Sequence, residues 1–470
     1  MPSTTGPSSF LAEDNSQTTL KQSLKQAALE REENISPIMA PTLSKMQSVN
    51  KLRIAIVAPL YYTIPPTKYG GTERVVTYLI DGLVSLGHSV TLYAAEGCKT
   101  GAELVQCTPI TLHDAGITGT IAEMQYPYTL QLKRVLADLT SYDVVNIHHG
   151  IFPFQRDIFD RPGPYVWTDH CELHVENKGE TLQILYNNAN AGATSISNSQ
   201  RDILTGAEYW LETIYHGLPK YLLAPVASTK PEYLAFLGRL APEKGAPDAV
   251  RISALAGKHL KVAAKREDIH DTYFKESVKP LFEKHDVDYI GEIADAGKSV
   301  FLSGAVALIF PIAWKEPFGL VMIEAMACGT PVIAYNKGAV PEVVEDGVTG
   351  FIVNNVEEAA GRVADAAKLD RGRIRAEFEK RWTSVTMAQK YEELFYRIRD
   401  GTAWTHATPS GTNSFMSQGD SSDNVTDSAD TAAHVCPGHQ HCTQARAGHA
   451  TDELPNSMAG LQLADTDTKE

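Results

Sequence analysis

Glu316 and Glu324 enclose the run Pro317-Phe318-Gly319-Leu320-Val321-Met322-Ile323. Before them, the apolar run Ala307–Phe310 is closed by Pro311 and followed by a loop. Leu320, Ile323 and Ala327 then recur at helical spacing, and Gly329 ends that pattern, since glycine tolerates the left-handed conformation at a helix C-terminus. Pro331-Val332-Ile333-Ala334 begins another strand. The two carboxylates therefore flank the start of one helix. A helix N-terminus presents N–H groups without intrahelical partners and a partial positive charge, which suits a phosphate. A carboxylate one turn further in accepts hydrogen bonds from sugar hydroxyls. This is the chemistry of a nucleotide-sugar site.

The elements that must position these residues alternate along the chain. Leu52–Ala58 is an apolar run of strand length, of the kind buried on both faces of a parallel sheet. A loop with Pro65, Pro66, Gly70 and Gly71 follows, and Thr72 is placed to cap a helix carrying Val75, Val76, Leu79, Ile80, Leu83 and Leu86. Gly87 stops it and Ser89–Ala95 is the next strand. Strand, glycine loop, helix, strand is the opening of a Rossmann-like unit. A helix over 128–139 and strands over 143–147, 165–168, 193–197 and 213–215 continue it. They end in His148-His149, Asp169-His170, Asn198 and His216-Gly217. Polar residues directly after strands mark the carboxyl ends where open α/β sheets hold ligands.

The spacing predicts an N-terminal unit over 51–217, a proline-marked linker over 218–232 and a second unit over 233–382. A final helix over 383–400 packs back on the first unit. The second unit reads as strands 233–237, 260–264, 287–290, 307–310, 332–335 and 350–353 alternating with helices, among them 246–256, 270–284, 295–304 and 355–368. The expected architecture is α/β, two Rossmann-like domains facing a cleft. Residues 1–50 and 401–470, rich in Ser, Thr and other small or polar residues, read as disordered tails.

The chain of 470 residues is too long for one ordinary core. Its apolar (43%) and charged (21%) fractions are those of a soluble globular protein. No apolar run is long enough for a membrane helix, and Met1–Glu13 lacks the basic and apolar pattern of a secretory signal. The six scattered cysteines suit a reducing cytosol, so a cytoplasmic location is expected. Net charge is -15, with nine Asp/Glu in 401–470 against Arg446 and Lys469. An acidic body argues against a nucleic-acid binder. Lys133-Arg134 on a predicted helix is the one sign of peripheral contact with anionic lipid. The oligomeric state is not legible.

The segment EPFGLVMIEAMACGTPVIA (316–334) resembles the E-x7-E signature of the retaining GT-B glycosyltransferases of family GT4. KYGGTERVV (68–76), GRLAPEKG (238–245), YIGEI (289–293) and GAVPEVVEDGVTGFIV (338–353) resemble that family in the same order, over residues 52–400. The resemblance implies transfer of a hexosyl group, with retention and without a metal or cofactor, from a UDP-, GDP- or ADP-sugar to an acceptor that the sequence does not identify. It also implies roles. Glu324 binds the ribose hydroxyls, and Glu316 holds a sugar hydroxyl near the anomeric carbon. The backbone N–H groups around Phe318, Gly319 and Leu320 face the distal phosphate. Arg239 and Lys244 neutralise the pyrophosphate, and Gly71 closes on it from the other domain. His170 approaches the donor sugar, and the backbone from Gly291 to Ile293 touches the base.

Plainer readings stand beside these. A helix-borne carboxylate pair is ordinarily solvated charge, and Arg239 and Lys244 have the plain reading of surface cations. His148, His149, His170, His174 and His216 all sit near strand ends, where structural hydrogen bonding is the commoner role. Asp286-Val287-Asp288 imitates a metal-binding Asp-x-Asp but precedes a strand. Cys436, His439, His441 and Cys442 have zinc-ligand chemistry at irregular spacing. A nucleotide-sugar-binding protein without turnover and a sugar-nucleotide epimerase are the alternative functions.

Overall fold

The structure is a computed structural model that describes residues 51–67, 70–117, 121–150, 163–170, 191–201 and 210–403. The two tails up to 50 and from 404 on, His174, most of the segment 169–180 and the cluster from Cys436 to Cys442 lie outside the described residues.

The first sheet holds β1 (Arg53–Val57), β2 (Ser89–Ala95), β3 (Glu103–Thr108), β4 (Val144–Ile147), β5 (Tyr165–Thr168), β6 (Ala191–Ser195) and β7 (Trp210–Thr213). Its order is β3-β2-β1-β4-β5-β6-β7 and every pair is parallel. The second holds β8 (Tyr233–Arg239), β9 (Leu260–Lys265), β10 (Val287–Gly291), β11 (Ala305–Phe310), β12 (Val332–Tyr335) and β13 (Gly350–Val353). Its order is β10-β9-β8-β11-β12-β13, again parallel throughout. Strands such as β11, buried at all six residues, are apolar runs because helices cover both faces. In each sheet the order reverses beside the first strand, between β1 and β4 and between β8 and β11. That reversal leaves a crevice at the carboxyl ends.

The helices that matter for the site are α1 (Gly71–Ser85), α2 (Ile121–Ala137), α3 (Asn198–Arg201), α4 (Ala246–Leu255), α5 (Asp295–Ser303), α6 (Leu320–Ala327), α7 (Val340–Val343), α8 (Val356–Ala366), α9 (Arg371–Arg381) and α10 (Ser384–Arg399). One cluster of buried side chains runs from the first sheet through α1 and α10 to the inner face of the second sheet. Another lies between the first sheet and α2, and a third between the second sheet, α4 and α8.

Several elements differ from the sequence expectation, each for a physical reason. Thr72 does not cap α1. Gly70 takes that position with φ 150°, a backbone shape that favours glycine, and no side chain closes the helix end. β3 is an edge strand whose apolar residues Leu104, Val105 and Cys107 do not alternate, so periodicity does not reveal it. α9 (RGRIRAEFEKR) buries only Ile374 and Phe378 and is otherwise mostly charged; Asp370 caps it by accepting from the N–H groups of Gly372 and Arg373. α2 starts at Ile121 and continues through Pro127, which forgoes a single ladder bond. The helix expected over 270–284 widens into a π-turn over Phe274–Val278, just before Pro280, which has no N–H for the regular ladder. β6 and β7 end two residues before the predicted ends.

The last helix is welded to the first lobe. An added Cβ at Gly82 of α1 would lie 2.5 Å from the Ala388 Cβ of α10. His88 pairs with Glu392 at 3.0 Å, and the Tyr391 hydroxyl lies 3.1 Å from the Thr168 hydroxyl. Just before α10, Leu218 and the segment Trp382–Ser384 exchange two backbone hydrogen bonds. On another side of the cleft, Glu342 of α7 accepts from the backbone N–H groups of Asn198 and Ser199 at 2.7 and 2.8 Å, and from the Tyr215 hydroxyl at 2.8 Å. A second-lobe carboxylate thereby satisfies the N-terminus of the first-lobe helix α3.

These contacts predict opposite outcomes for two glycines. Gly82→Val forces α1 and α10 apart and should cost about 1–3 kcal/mol by overpacking. Gly361→Ala, on the exposed side of α8 with nothing within 4 Å, should gain about 0.5–1 kcal/mol from helix propensity. Denaturant unfolding of the two variants checks both signs.

Candidate active site

Gly319, at φ 84°, turns the chain out of the β11 loop into α6 and occupies the N-cap position. From Met322 to Ala327 every α6 residue is buried, including Glu324. The apolar stripe expected on one side is therefore an apolar girdle, because α6 is packed between the second sheet and α9. Only Leu320 and Val321, in its first turn, are part-exposed.

That first turn opens into a cavity of about 280 Å³ at the carboxyl ends of both sheets. The first lobe contributes Gly70 to Arg74, His170, Ile196 and His216; the second contributes the ends of β8 and β9, Glu292, Ile293, Lys298, Trp314 and Glu316 to Val321, with Glu324. Gly71, His170, Arg239, Lys244, Ile293, Glu316, Phe318, Gly319, Leu320 and Glu324 thus border one space. Gly291 does not line it; the wall there is formed by Glu292 and Ile293. Asp286 and Asp288 lie at the opposite, amino end of β10, bonded to the two ring nitrogens of His259 at 2.8 and 3.0 Å.

The charged groups on the wall are paired with one another. Lys244 reaches Glu316 at 2.6 Å and lies 4.9 Å from the Trp314 ring centre, while the Trp314 indole N–H donates to the same Glu316 oxygen at 2.8 Å. Arg239, only 4% exposed, is held by Glu243 at 2.8 Å and Glu267 at 2.9 Å. Lys298 reaches Glu324 at 2.6 Å and Asp295 at 3.2 Å, and Asp295 in turn meets Arg74 of the first lobe at 2.5 Å. Burial pulls the Lys298 ammonium down, but the Glu324 and Asp295 carboxylates outweigh it and the net shift is upward. Arg74, Lys298 and Trp314 were missed by sequence reasoning. Arg74 stood inside the GGTERVV segment, whereas nothing local marks Lys298, which reaches Glu324 only through the packing of α5 on the second sheet.

Histidines from three strand ends form a chain. His148 Nδ1 lies 2.9 Å from His170 Nε2, and His170 Nδ1 lies 3.4 Å from His216 Nε2. The His170 and His216 rings stack at 5.1 Å, and His216 meets Phe318 of the other lobe edge-on. Burial pushes His148 and His216 down to about 3, so both are neutral at physiological pH.

Two predictions follow from this geometry. Lowered histidine pKa values mean that the unfolded chain binds protons first. The stability they contribute is complete above about 6.5 and lost as pH falls toward 3, at about 1.4 kcal/mol per pH unit for each histidine. Unfolding midpoints measured from pH 7 to 4 should fall less steeply in His148→Gln than in the parent chain. Separately, Lys298→Met and Glu324→Gln should each cost about 3 kcal/mol by leaving a buried charge without its partner, and the double variant should cost much less than their sum. Chemical denaturation of the four proteins measures that coupling.

Residues 69–244 match the sequence profile of Glycosyltransferase Family 4, and residues 224–383 match that of Glycosyl transferases group 1. The N-acetyl-alpha-D-glucosaminyl L-malate synthase of Bacillus anthracis is 30% identical over 129 residues, 26% of this chain and 33% of that protein. The D-inositol 3-phosphate glycosyltransferase of Streptomyces griseus is 49% identical over 70 residues, 14% of this chain and 15% of that protein. The first curated relatives are matched over 32% and 33% of their own length. Among solved structures, sucrose-phosphate synthase from Thermosynechococcus elongatus aligns over 75% of this chain and 100% of that chain, with TM-score 0.59 and 18% identity. AviGT4, a glycosyltransferase involved in avilamycin A biosynthesis, aligns over 74% and 98%, with TM-score 0.56 and 24% identity. These two share the arrangement of two facing Rossmann-like domains, the GT-B fold. No helix of the described residues is long and apolar enough to cross a membrane. By these two profile matches, which together span residues 69–383, this chain belongs to the GT4 family of glycosyltransferases.

Proposed function

We propose that this protein transfers a hexosyl group from a nucleotide-diphospho-sugar to an acceptor, with retention at the anomeric carbon and without a metal. The observation that carries this reading is the convergence of Glu316, Glu324, Lys244, Arg239 and Gly71 on the cavity at the N-terminus of α6. A diphosphate seated there meets the N–H groups at Gly319 and Leu320 and the positive end of the helix. Lys244 lies beside it, and Arg239 lines the same wall.

The pairs in the cleft suggest how binding proceeds. Lys244 exchanges Glu316 for a phosphate oxygen, and Glu316 then accepts from a sugar hydroxyl. Lys298 holds Glu324 in place to receive the ribose hydroxyls. Each ion keeps a compensating partner, which avoids the cost of a bare buried charge. As the sugar–phosphate bond breaks, negative charge grows on the leaving diphosphate and positive charge on the sugar ring. Lys244, Arg239 and the helix end stabilise the first, and the Glu316 carboxylate the second. His170, oriented by His148 and His216, faces the sugar from the first lobe. Gly71 approaches the diphosphate from the same side, and the backbone at Ile293, with Gly291 before it, forms the base end.

UDP-glucose is the first donor to test, because the HepE protein of Anabaena, of the same fold, was solved with it. A thermal-shift screen of UDP-, GDP- and ADP-sugars identifies the base, since a ligand that binds the folded state raises its apparent stability. With the donor in hand, Glu316→Gln should keep donor binding within a few-fold and lower turnover by about two orders of magnitude or more. Glu324→Gln should weaken donor binding by about tenfold. Full turnover by Glu316→Gln, measured as released nucleotide and glycosylated product, would refute the assignment.

A further inference from the structure

The first turn of α1 carries a carboxyl group that the reading above leaves unused. Glu73 lines the same cavity and is 2% exposed. Its Oε1 has no hydrogen-bond partner in the structure. Its other oxygen, Oε2, would lie 3.0 Å from a Cβ added at Gly70, so the carboxyl group rests against the glycine that opens α1. Across the cleft, a Cβ added at Gly71 would come within 3.9 Å of Leu320, the first residue of α6. Two helix N-termini therefore face each other over one space, with an unsatisfied buried carboxyl beside it. An anion drawn there by the helix ends meets Glu73. As a carboxylate that group repels the anion; as a carboxylic acid it donates a hydrogen bond to it.

The surroundings of Glu73 bear on which form is present. Among the described residues, Tyr62 from the loop after β1, Cys98 from the loop after β2 and Tyr128 of α2 are titratable groups that sense it. All three are neutral at physiological pH. Arg74, the next residue of α1, is turned to Asp295. Burial pushes the Glu73 carboxyl up to about 7, against the pull of its own backbone N–H.

We propose that Glu73 binds the diphosphate of the donor as a neutral carboxylic acid, its Oε1 hydroxyl donating to a non-bridging phosphate oxygen, so that donor binding takes up one proton at this residue. This rests on the donor reading of the cavity given above. The positive end of α1 favours the carboxylate when it stands alone; a neighbouring diphosphate reverses that preference. Linkage then sets the sign. Below about pH 6 Glu73 is already protonated and affinity is level. Above about 7 the proton must be recovered first, and affinity falls roughly tenfold for each pH unit. The diphosphate of a nucleotide sugar is a diester and does not titrate between pH 6 and 9.

The test is calorimetric titration of the full chain with UDP-glucose, and with GDP- and ADP-glucose, from pH 6 to 9 in buffers of different ionisation heat. The parent chain should take up close to one proton per site at pH 8 and almost none at pH 6, with affinity falling as stated. Glu73→Gln, a permanent neutral donor, should bind at pH 8 at least tenfold tighter than the parent and show no pH dependence. Binding by the parent that is flat with pH, or an equal decline in Glu73→Gln, overturns the role of Glu73 while leaving the donor site standing. No binding by either protein at any pH overturns the donor reading, and this inference with it. A ligand-free readout guards against a folding artefact. The stability that Glu73 contributes is complete below its ordinary carboxyl range and lost as pH rises through about 7. Glu73→Gln should therefore unfold at higher temperature than the parent at pH 8 but not at pH 5; parallel profiles would count against the proposal.

Discussion

Lys298 stands between Glu324 of its own lobe and Asp295, which in turn reaches Arg74 of the other lobe. Four charges alternate in sign across the cleft, and the inner ones are largely removed from water. A carboxylate held as deep as Glu324 is tolerable only beside a cation, because desolvating a lone ion costs several kcal/mol. The same rule places Lys244 against Glu316 and Arg239 between Glu243 and Glu267. The charged groups of this cleft are thus stabilised by each other.

Such pairing requires a rigid frame, and the frame is apolar. α6 can hold Glu324 inward because Met322, Ile323, Ala325, Met326 and Ala327 are all buried around it. Its N-terminus can point at the cleft because Gly319 adopts a left-handed turn that a side chain would strain. The lobes are joined by more than the linker: α10 rests on α1, and Glu342 satisfies the N-terminus of α3 from the opposite lobe. The positions of the paired charges follow from these contacts rather than from surface electrostatics, which would be worth little in water.

The chain as a whole is strongly acidic, at -15, yet the proposed ligand is an anion. Pairing reconciles the two. In the proposed function a diphosphate need not find free cations; it exchanges places with carboxylates that have sugar hydroxyls to turn to. The buried neutral histidines add hydrogen-bonding surface on the first-lobe side without adding charge. Glu73 belongs to the same economy, since a carboxyl group that gives up its charge as the anion arrives spares the cleft a repulsion.

Much of this was legible in the residues. The apolar runs, the glycine loops after β1 and β8 and the alternation of strand and helix follow from local patterns, because burial on both faces demands continuous hydrophobicity and turns demand glycine or proline. Glu316 and Glu324 could be singled out because they flank the start of one helix, a position set within a few residues of chain; Arg239, Lys244 and Gly71 were marked by the resemblance of their segments to the GT4 family. The non-alternating edge strand β3 and the mostly charged helix α9 escaped that reading, since nothing in their periodicity distinguishes them from loops. What only the tertiary structure decided is the company each charge keeps. Lys298 meets Glu324 and Arg74 meets Asp295 across 26 and 221 residues of sequence; His148, His170 and His216 become one chain only when β4, β5 and β7 take their places in the sheet. The upward shift of the Glu73 carboxyl likewise comes from burial that only folding supplies. Charge and hydrogen bonding act through space over a few ångströms, and no local pattern in a chain records which distant groups folding will bring that close.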